Sequence, residues 1–152
     1  NGGSYRIFCK KNAKKSISHN ERTTLRDIRK FMSHVETNKK KCLKFLKKAK
    51  KEGKKVFIYG ASTKGNTLLQ FYGINQSLIK YAAERSPEKW GKYTIKSGIE
   101  IISEEKARKL NPDYFFVLPY AFIKEFIKRE KTWLKGGGKF VLPYPNFKVL
   151  NN

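Results

Sequence analysis

The stretch from Val56 to Thr67 constrains the fold most. Val56-Phe57-Ile58-Tyr59 is an unbroken apolar run, Gly60 closes it, and Ala61 to Thr67 leads into a helical pattern. An apolar run without polar alternation reads as a strand buried on both faces, the habit of parallel sheets. Strand, glycine turn and helix in that order form the unit of an open α/β fold. The unit then recurs. Asn66 to Tyr72 reads as a helix stopped by Gly73, Leu78 to Ala83 as a second strand, and Ile99 to Ile102 as a short extended piece. Ser103-Glu104-Glu105 opens a helix running to Leu110, and Tyr114 to Leu118 is a third apolar strand. Ala121 to Trp133 is predicted as one helix with Phe122, Phe126, Ile127 and Trp133 inward. After the Gly136-Gly137-Gly138 break come a strand at Lys139 to Leu142 and a last extended piece at Phe147 to Leu150. The expected architecture over residues 54–152 is an α/β, Rossmann-like three-layer domain with a mostly parallel sheet.

Residues 1–53 read as an N-terminal strand and a helical connector. Tyr5 to Cys9 alternates like a strand. Leu25, Ile28, Phe31/Met32 and Val35 recur at helical spacing, with Thr23 or Thr24 as cap, and Cys42, Leu46 and Ala49 continue the stripe to Gly53. Phe31, Phe57, Phe115, Phe116, Phe126 and Trp133 fit core periodicity better than a base-stacking platform.

Charge raises a rival reading. The 152 residues carry 35 Lys+Arg against 12 Asp+Glu, a net charge of +23. Lysines crowd Lys39 to Lys55, where a basic helix face could bind the phosphates of nucleic acid. Lys greatly outnumbers Arg, although Arg is the usual choice for bidentate phosphate and guanine contacts, so a solvated face is favoured and nucleic acid disfavoured. No run is long enough to span a membrane, since the longest apolar stretch, Tyr114 to Ile123, contains Pro119. No apolar signal segment follows the early lysines, and two cysteines, Cys9 and Cys42, make no disulfide scaffold, so a cytoplasmic setting is expected. The chain starts at Asn1 rather than Met, which points to a piece of a longer protein.

The candidate site is the loop Gly60, Ala61, Ser62, Thr63, Lys64, Gly65, Asn66. Small residues let backbone N–H groups approach an anion, and a helix amino terminus adds positive partial charge. The GxGxxG spacing of a dinucleotide site fails at Ser62, and Asn66 stands where a P-loop needs Lys, so triphosphate hydrolysis is not expected. A tight turn without ligand is the plain alternative. Glu84 falls about where a Rossmann acid would meet a ribose hydroxyl, keeping a nicotinamide-cofactor domain as a second rival. Arg85 and Lys89 could hold an anion. His19 and His34 with Cys9 and Cys42 lack zinc-type spacing, so no metal site is expected.

Six segments in order carry a resemblance. They are Asn1 to Arg6, Tyr59 to Leu69, Glu84 to Tyr93, Gly98 to Ile101, Asn111 to Tyr120 and Gly137 to Pro143. Together they resemble the C-terminal region of the S-adenosylmethionine-dependent sugar C-methyltransferases, which methylate a carbon of a nucleotide-linked keto sugar. The resemblance implies a parent with a zinc domain, a middle domain that binds S-adenosylmethionine, and this C-terminal domain. It implies no catalytic residue and no bound cofactor in this chain, whose partners would be the nucleotide-diphosphate sugar and the two preceding domains. The glycine loop and its basic neighbours would sit near the diphosphate. Tyr120-Ala121 stands where the family favours Trp-Asn, losing an amide able to donate and accept; Tyr120 is kept among the candidate substrate-binding residues.

Overall fold

The computed structural model describes Lys11 and residues 23–150. The strand expected at Tyr5 to Cys9, the segment Asn1 to Arg6 and His19 lie outside the described residues. Helix α1 (Leu25–Lys51) opens the described fold in one piece. Thr24 caps it, accepting from the Asp27 N–H at 3.2 Å while the Asp27 carboxylate accepts from the Thr24 N–H at 3.1 Å. Then follow β1 (Val56–Tyr59), α2 (Thr63–Tyr72), β2 (Tyr81–Glu84), β3 (Glu100–Ser103), α3 (Glu104–Lys109) and β4 (Tyr114–Val117). Helices α4 (Ile123–Arg129) and α5 (Lys131–Lys135) and strands β5 (Lys139–Leu142) and β6 (Lys148–Leu150) complete it.

The six strands pair in the order β3-β2-β1-β4-β5-β6, all parallel except β6, which runs antiparallel to β5. Alternation along each strand divides the core. Val56, Ile58, Ala82, Ile101, Phe116 and Val141 face α1 and α2. Phe57, Tyr59, Ala83, Ile102, Phe115 and Phe140 face α3, α4 and α5. Helices on both faces of a mostly parallel sheet make the three-layer, Rossmann-like fold expected from the sequence. Strand order reverses between β1 and β4, so the loops at their carboxyl ends diverge and leave a crevice.

Three expectations are corrected. The second strand starts at Tyr81, because Leu78 and Ile79 bond back to the Asn75 carbonyl as a turn that seats Ile79 in the core. The helix expected at Ala121 to Trp133 is a 3₁₀ turn (Tyr120–Phe122) followed by α4 and α5, with the break at Glu130. Phe122 and Ile127 therefore face outward, 45% and 42% exposed. Phe31 is also exposed, with Leu25, Ile28 and Met32. A helix of 27 residues spans about 40 Å while a four-residue strand covers about 13 Å, so only the C-terminal half of α1 meets the sheet. That half contributes Cys42, Leu46 and Ala49 to the core. Midway along α1, buried Asn38 donates to the Pro145 carbonyl at 2.6 Å and accepts from the Phe147 N–H at 3.1 Å.

Candidate functional site

Gly60 to Lys64 and Asn66 line cavities at the crevice between β1 and β4, and Gly65 is buried behind them. Gly60 adopts a left-handed φ of +83°, and a Cβ there would lie 2.6 Å from Pro119 Cγ in the loop after β4. Only glycine fits. Ser62 caps α2, its hydroxyl accepting from the Gly65 N–H at 3.1 Å, and its carbonyl takes the Asn66 N–H at 2.9 Å. The Ala61 N–H goes to Glu84 and the Ser62 N–H to the Gly60 carbonyl. Among the described residues, no acceptor meets the N–H groups of Thr63 and Lys64. These two donors, at the positive end of a ten-residue helix, are what the loop offers an anion.

Gly65 serves another purpose than the sequence suggested. A Cβ at Gly65 would stand 2.5 Å from Leu118 Cβ and Cδ1. Its missing side chain lets α2 pack on the β4 loop rather than clearing a path for a ligand.

Glu84 is the loop's clamp. One carboxylate oxygen accepts from the Ala61 N–H at 2.9 Å, and the other from the N–H groups of Arg85 and Ser86 at 3.0 and 3.2 Å. The Lys89 ammonium donates to Glu84 at 3.3 Å and to the Ala61 carbonyl at 3.2 Å. Glu84 is thus engaged on both oxygens. Lys89 is tied to the loop, while Arg85 is exposed on the wall of the crevice. Tyr120 stacks edge-on against Tyr144 and faces Lys64 across a cavity of about 220 Å³. A second cavity, of about 420 Å³, is walled by Glu84, Arg85, Glu104, Phe122 and Arg129, and a third of about 210 Å³ lies beside Asn66. All three touch Ser62, so they form one ring around the loop.

A buried ionic cluster underlies the cavity of about 420 Å³, and no local sequence pattern marks it. Glu130, whose side chain is 1% exposed, accepts from the Tyr59 hydroxyl at 2.7 Å and from Arg108 Nε and Nη2 at 2.9 and 2.7 Å. Arg129 donates to the Tyr59 oxygen at 2.9 and 3.0 Å and to Glu104 at 3.0 Å, and Arg108 also reaches Glu104 at 3.0 Å. Two guanidinium groups balance two carboxylates. Burial alone would raise the Glu130 carboxyl, but the bonds from Arg108 and Tyr59 outweigh it and hold the group below its usual value. Burial, then the bond to Glu130, pushes the Tyr59 phenol far up, so it stays neutral. The cluster fixes Tyr59, and with it the strand end from which Gly60 departs.

His34 does not line the crevice; its Nε2 donates to the Pro145 carbonyl at 2.6 Å. Burial raises Cys42 to about 12, which leaves an inert thiol. Among the described residues, no group of three His, Cys, Asp or Glu could hold a metal ion, and no helix is long and apolar enough to cross a membrane.

The family profile described as the C-methyltransferase C-terminal domain matches residues 1–145. The chain belongs to this family. It is also 37% identical over 100 residues to the C-methyltransferase NovU of Streptomyces niveus, a match covering 66% of this chain and 24% of that protein. The chain thus aligns with about a quarter of the length of that curated relative. The family description agrees with the C-methyltransferase C-terminal resemblance carried by the six ordered segments.

The loop is legible in the sequence because its signals are local: a strand end, glycines and a serine cap. The engagement of Glu84 and the ionic cluster are not, because their partners are distant in the chain.

Proposed function

We propose that this chain is the nucleotide-sugar-side domain of a C-methyltransferase that uses S-adenosylmethionine on a nucleotide-linked keto sugar. The observation that carries this reading is the pair of unengaged N–H groups of Thr63 and Lys64. They open at a helix amino terminus on the sheet's switch point, beside the Lys64 ammonium. Two donors, a helix dipole and a cation suit a diphosphate, which offers acceptor oxygens and negative charge. Lys89 contributes charge at the same loop while holding its shape. Fixing the diphosphate there fixes how far the sugar can reach, which is the positioning a two-substrate reaction needs.

The chain's own residues do not fit S-adenosylmethionine. A bound ribose is met by a free carboxylate at the end of the second strand, and Glu84 has both oxygens engaged there. The sulfonium is a cation, and the loop presents donors. We therefore assign the methyl donor, and the base that takes a proton beside the ketone, to a region preceding this chain. No step through the donor is assigned to residues 1–152.

Calorimetry with a thymidine-diphosphate sugar tests the reading. Lys64→Ala should weaken binding about tenfold or more, as expected for loss of one charge-assisted contact of about 1.5–3 kcal/mol, and leave the thermal melt unchanged. Equal affinity in the two proteins would remove the loop as the phosphate site.

A further inference from the structure

Helix α1 carries one apolar stripe along its length, and only part of that stripe is covered. At about 3.6 residues per turn, Leu25, Ile28 and Phe31 lie about five turns before Leu43, Leu46 and Ala49 and share their meridian. The later set packs into the core against the sheet. The earlier set, with Met32, is between 44% and 72% exposed. Four large apolar side chains on one face make a contiguous patch, and aromatic residues and Met are what the centre of an interface favours. Exposed Arg26, Arg29 and Lys30 flank it.

The fold sets this patch on the same side as the glycine loop. A short turn, Glu52 to Lys55, joins α1 to β1, so the helix runs back along the sheet towards the carboxyl ends of its parallel strands. Strand β6 is antiparallel to β5, which puts the connection at 143–147 on that same edge. His34 and Asn38 both donate to the Pro145 carbonyl there, each at 2.6 Å. The same connection reaches the crevice, where Tyr144 lies edge-on to Tyr120 with ring centroids 5.2 Å apart. Residues 25–32 continue α1 beyond this tie. Because the stripe keeps its meridian, the patch faces the space beyond the carboxyl ends of the strands.

We infer, resting on the reading above that a region preceding this chain holds the methyl donor, that the free end of α1 is where that region docks. The family is described as a C-terminal domain, and the aligned part is 24% of the length of the Streptomyces niveus relative, so most of such a protein lies outside the match. What precedes a C-terminal domain enters it from the amino end, which here leads into Leu25. The patch also stands on the side where the crevice opens. A body seated on it is held at the mouth where two substrates must meet, which is the positioning their reaction requires. The flanking cations define the partner's surface: an apolar centre bordered by carboxylates that meet Arg26, Arg29 and Lys30.

Met32 is the single methionine of the chain, so its oxidation reads the patch directly. Dilute hydrogen peroxide is applied to the 152-residue chain and to the full-length parent enzyme, and mass spectrometry follows the peptide that carries Met32. In the 152-residue chain Met32 should oxidise as an exposed thioether does, and in the parent about tenfold more slowly. Ile28→Glu together with Phe31→Glu should abolish the protection and slow methyl transfer in the parent by about tenfold or more. The melt of the 152-residue chain should not change, since both side chains are exposed in it. Equal oxidation rates in the two proteins would overturn the docking. Protection already present in the 152-residue chain would overturn it too: if it persists on dilution, the residues before Thr23 cover the patch, and if it rises with protein concentration, a second copy does. An unprotected Met32 in a parent that methylates a thymidine-diphosphate keto sugar refutes this inference alone. A protected Met32 in a parent that leaves such sugars unmethylated upholds the interface and removes the substrate reading.

Discussion

Replacing Gly65 by Ala separates packing from ligand binding at the glycine loop. Gly65 has an ordinary helical backbone, so Ala should gain up to about 1 kcal/mol of helix propensity. The added methyl, however, would lie 2.5 Å from Leu118 Cβ and Cδ1 and 2.9 Å from Cγ. Carbon contacts are comfortable near 3.5–4.0 Å, so about 1 Å of movement is required. Leu118 cannot yield freely, because it is 7% exposed in the core and its N–H is bonded to the Tyr59 carbonyl. An overlap of about 1 Å on a core residue places the cost in the upper part of the usual range, about 2–3 kcal/mol, which after the helix gain leaves a net loss of about 1–2 kcal/mol. For a chain of this size that is a fall in Tm of about 2–8 °C. Thermal and urea melts of Gly65→Ala measure it. Leu118→Ala alone should cost more, about 2–5 kcal/mol, but the double variant should be more stable than the two losses summed, with a favourable coupling of about 0.5–3 kcal/mol. Additive losses, or a Gly65→Ala protein as stable as the parent chain, would refute the packing account and return Gly65 to the ligand.

Glu130→Ala should cost about 3 kcal/mol in urea melts, because it removes the buried carboxylate that accepts from the Tyr59 hydroxyl and from two Arg108 donors; Arg108 keeps Glu104 and is 39% exposed, which places the loss at the lower end for a buried pair. Since the folded carboxyl of Glu130 is held below its usual value of 4.5, its contribution is complete above that pH and is lost as pH falls through the folded value; melts at pH 7 and pH 3 should show Glu130→Ala losing its disadvantage in acid. Glu84→Ala should loosen the loop, releasing the Ala61 N–H and Lys89, and should raise amide exchange at Ala61 to Gly65 with little change at α5. Any binding of DNA to the lysines of α1 should be indifferent to sequence and vanish between about 50 and 200 mM salt in fluorescence anisotropy, whereas tight, sequence-selective binding at physiological salt would revive the nucleic-acid reading.

The sequence alone determined those parts whose physics is local. Four apolar residues closed by glycine make a buried strand and its turn, and Ser62 three residues before Gly65 makes a helix cap. The alternation of such units selects an open α/β sheet. Lysines spaced around a helix are solvated wherever that helix sits. Tertiary structure decided the rest, because it joins residues that are far apart in the chain. The apolar spacing of Leu25 to Met32 matches that of Cys42 to Ala49, yet only the second set is buried, since the sheet is shorter than the helix. Ala121 to Trp133 carries a helical pattern, but Glu130 breaks it to meet Tyr59, 71 positions earlier, and Arg108, 22 positions earlier. An acid at a strand end looks free in a sequence, and only the fold shows Glu84 spending both oxygens on the loop it supports. A glycine in a loop looks like room for a ligand, and only the approach of Leu118 shows that Gly65 makes room for the protein itself.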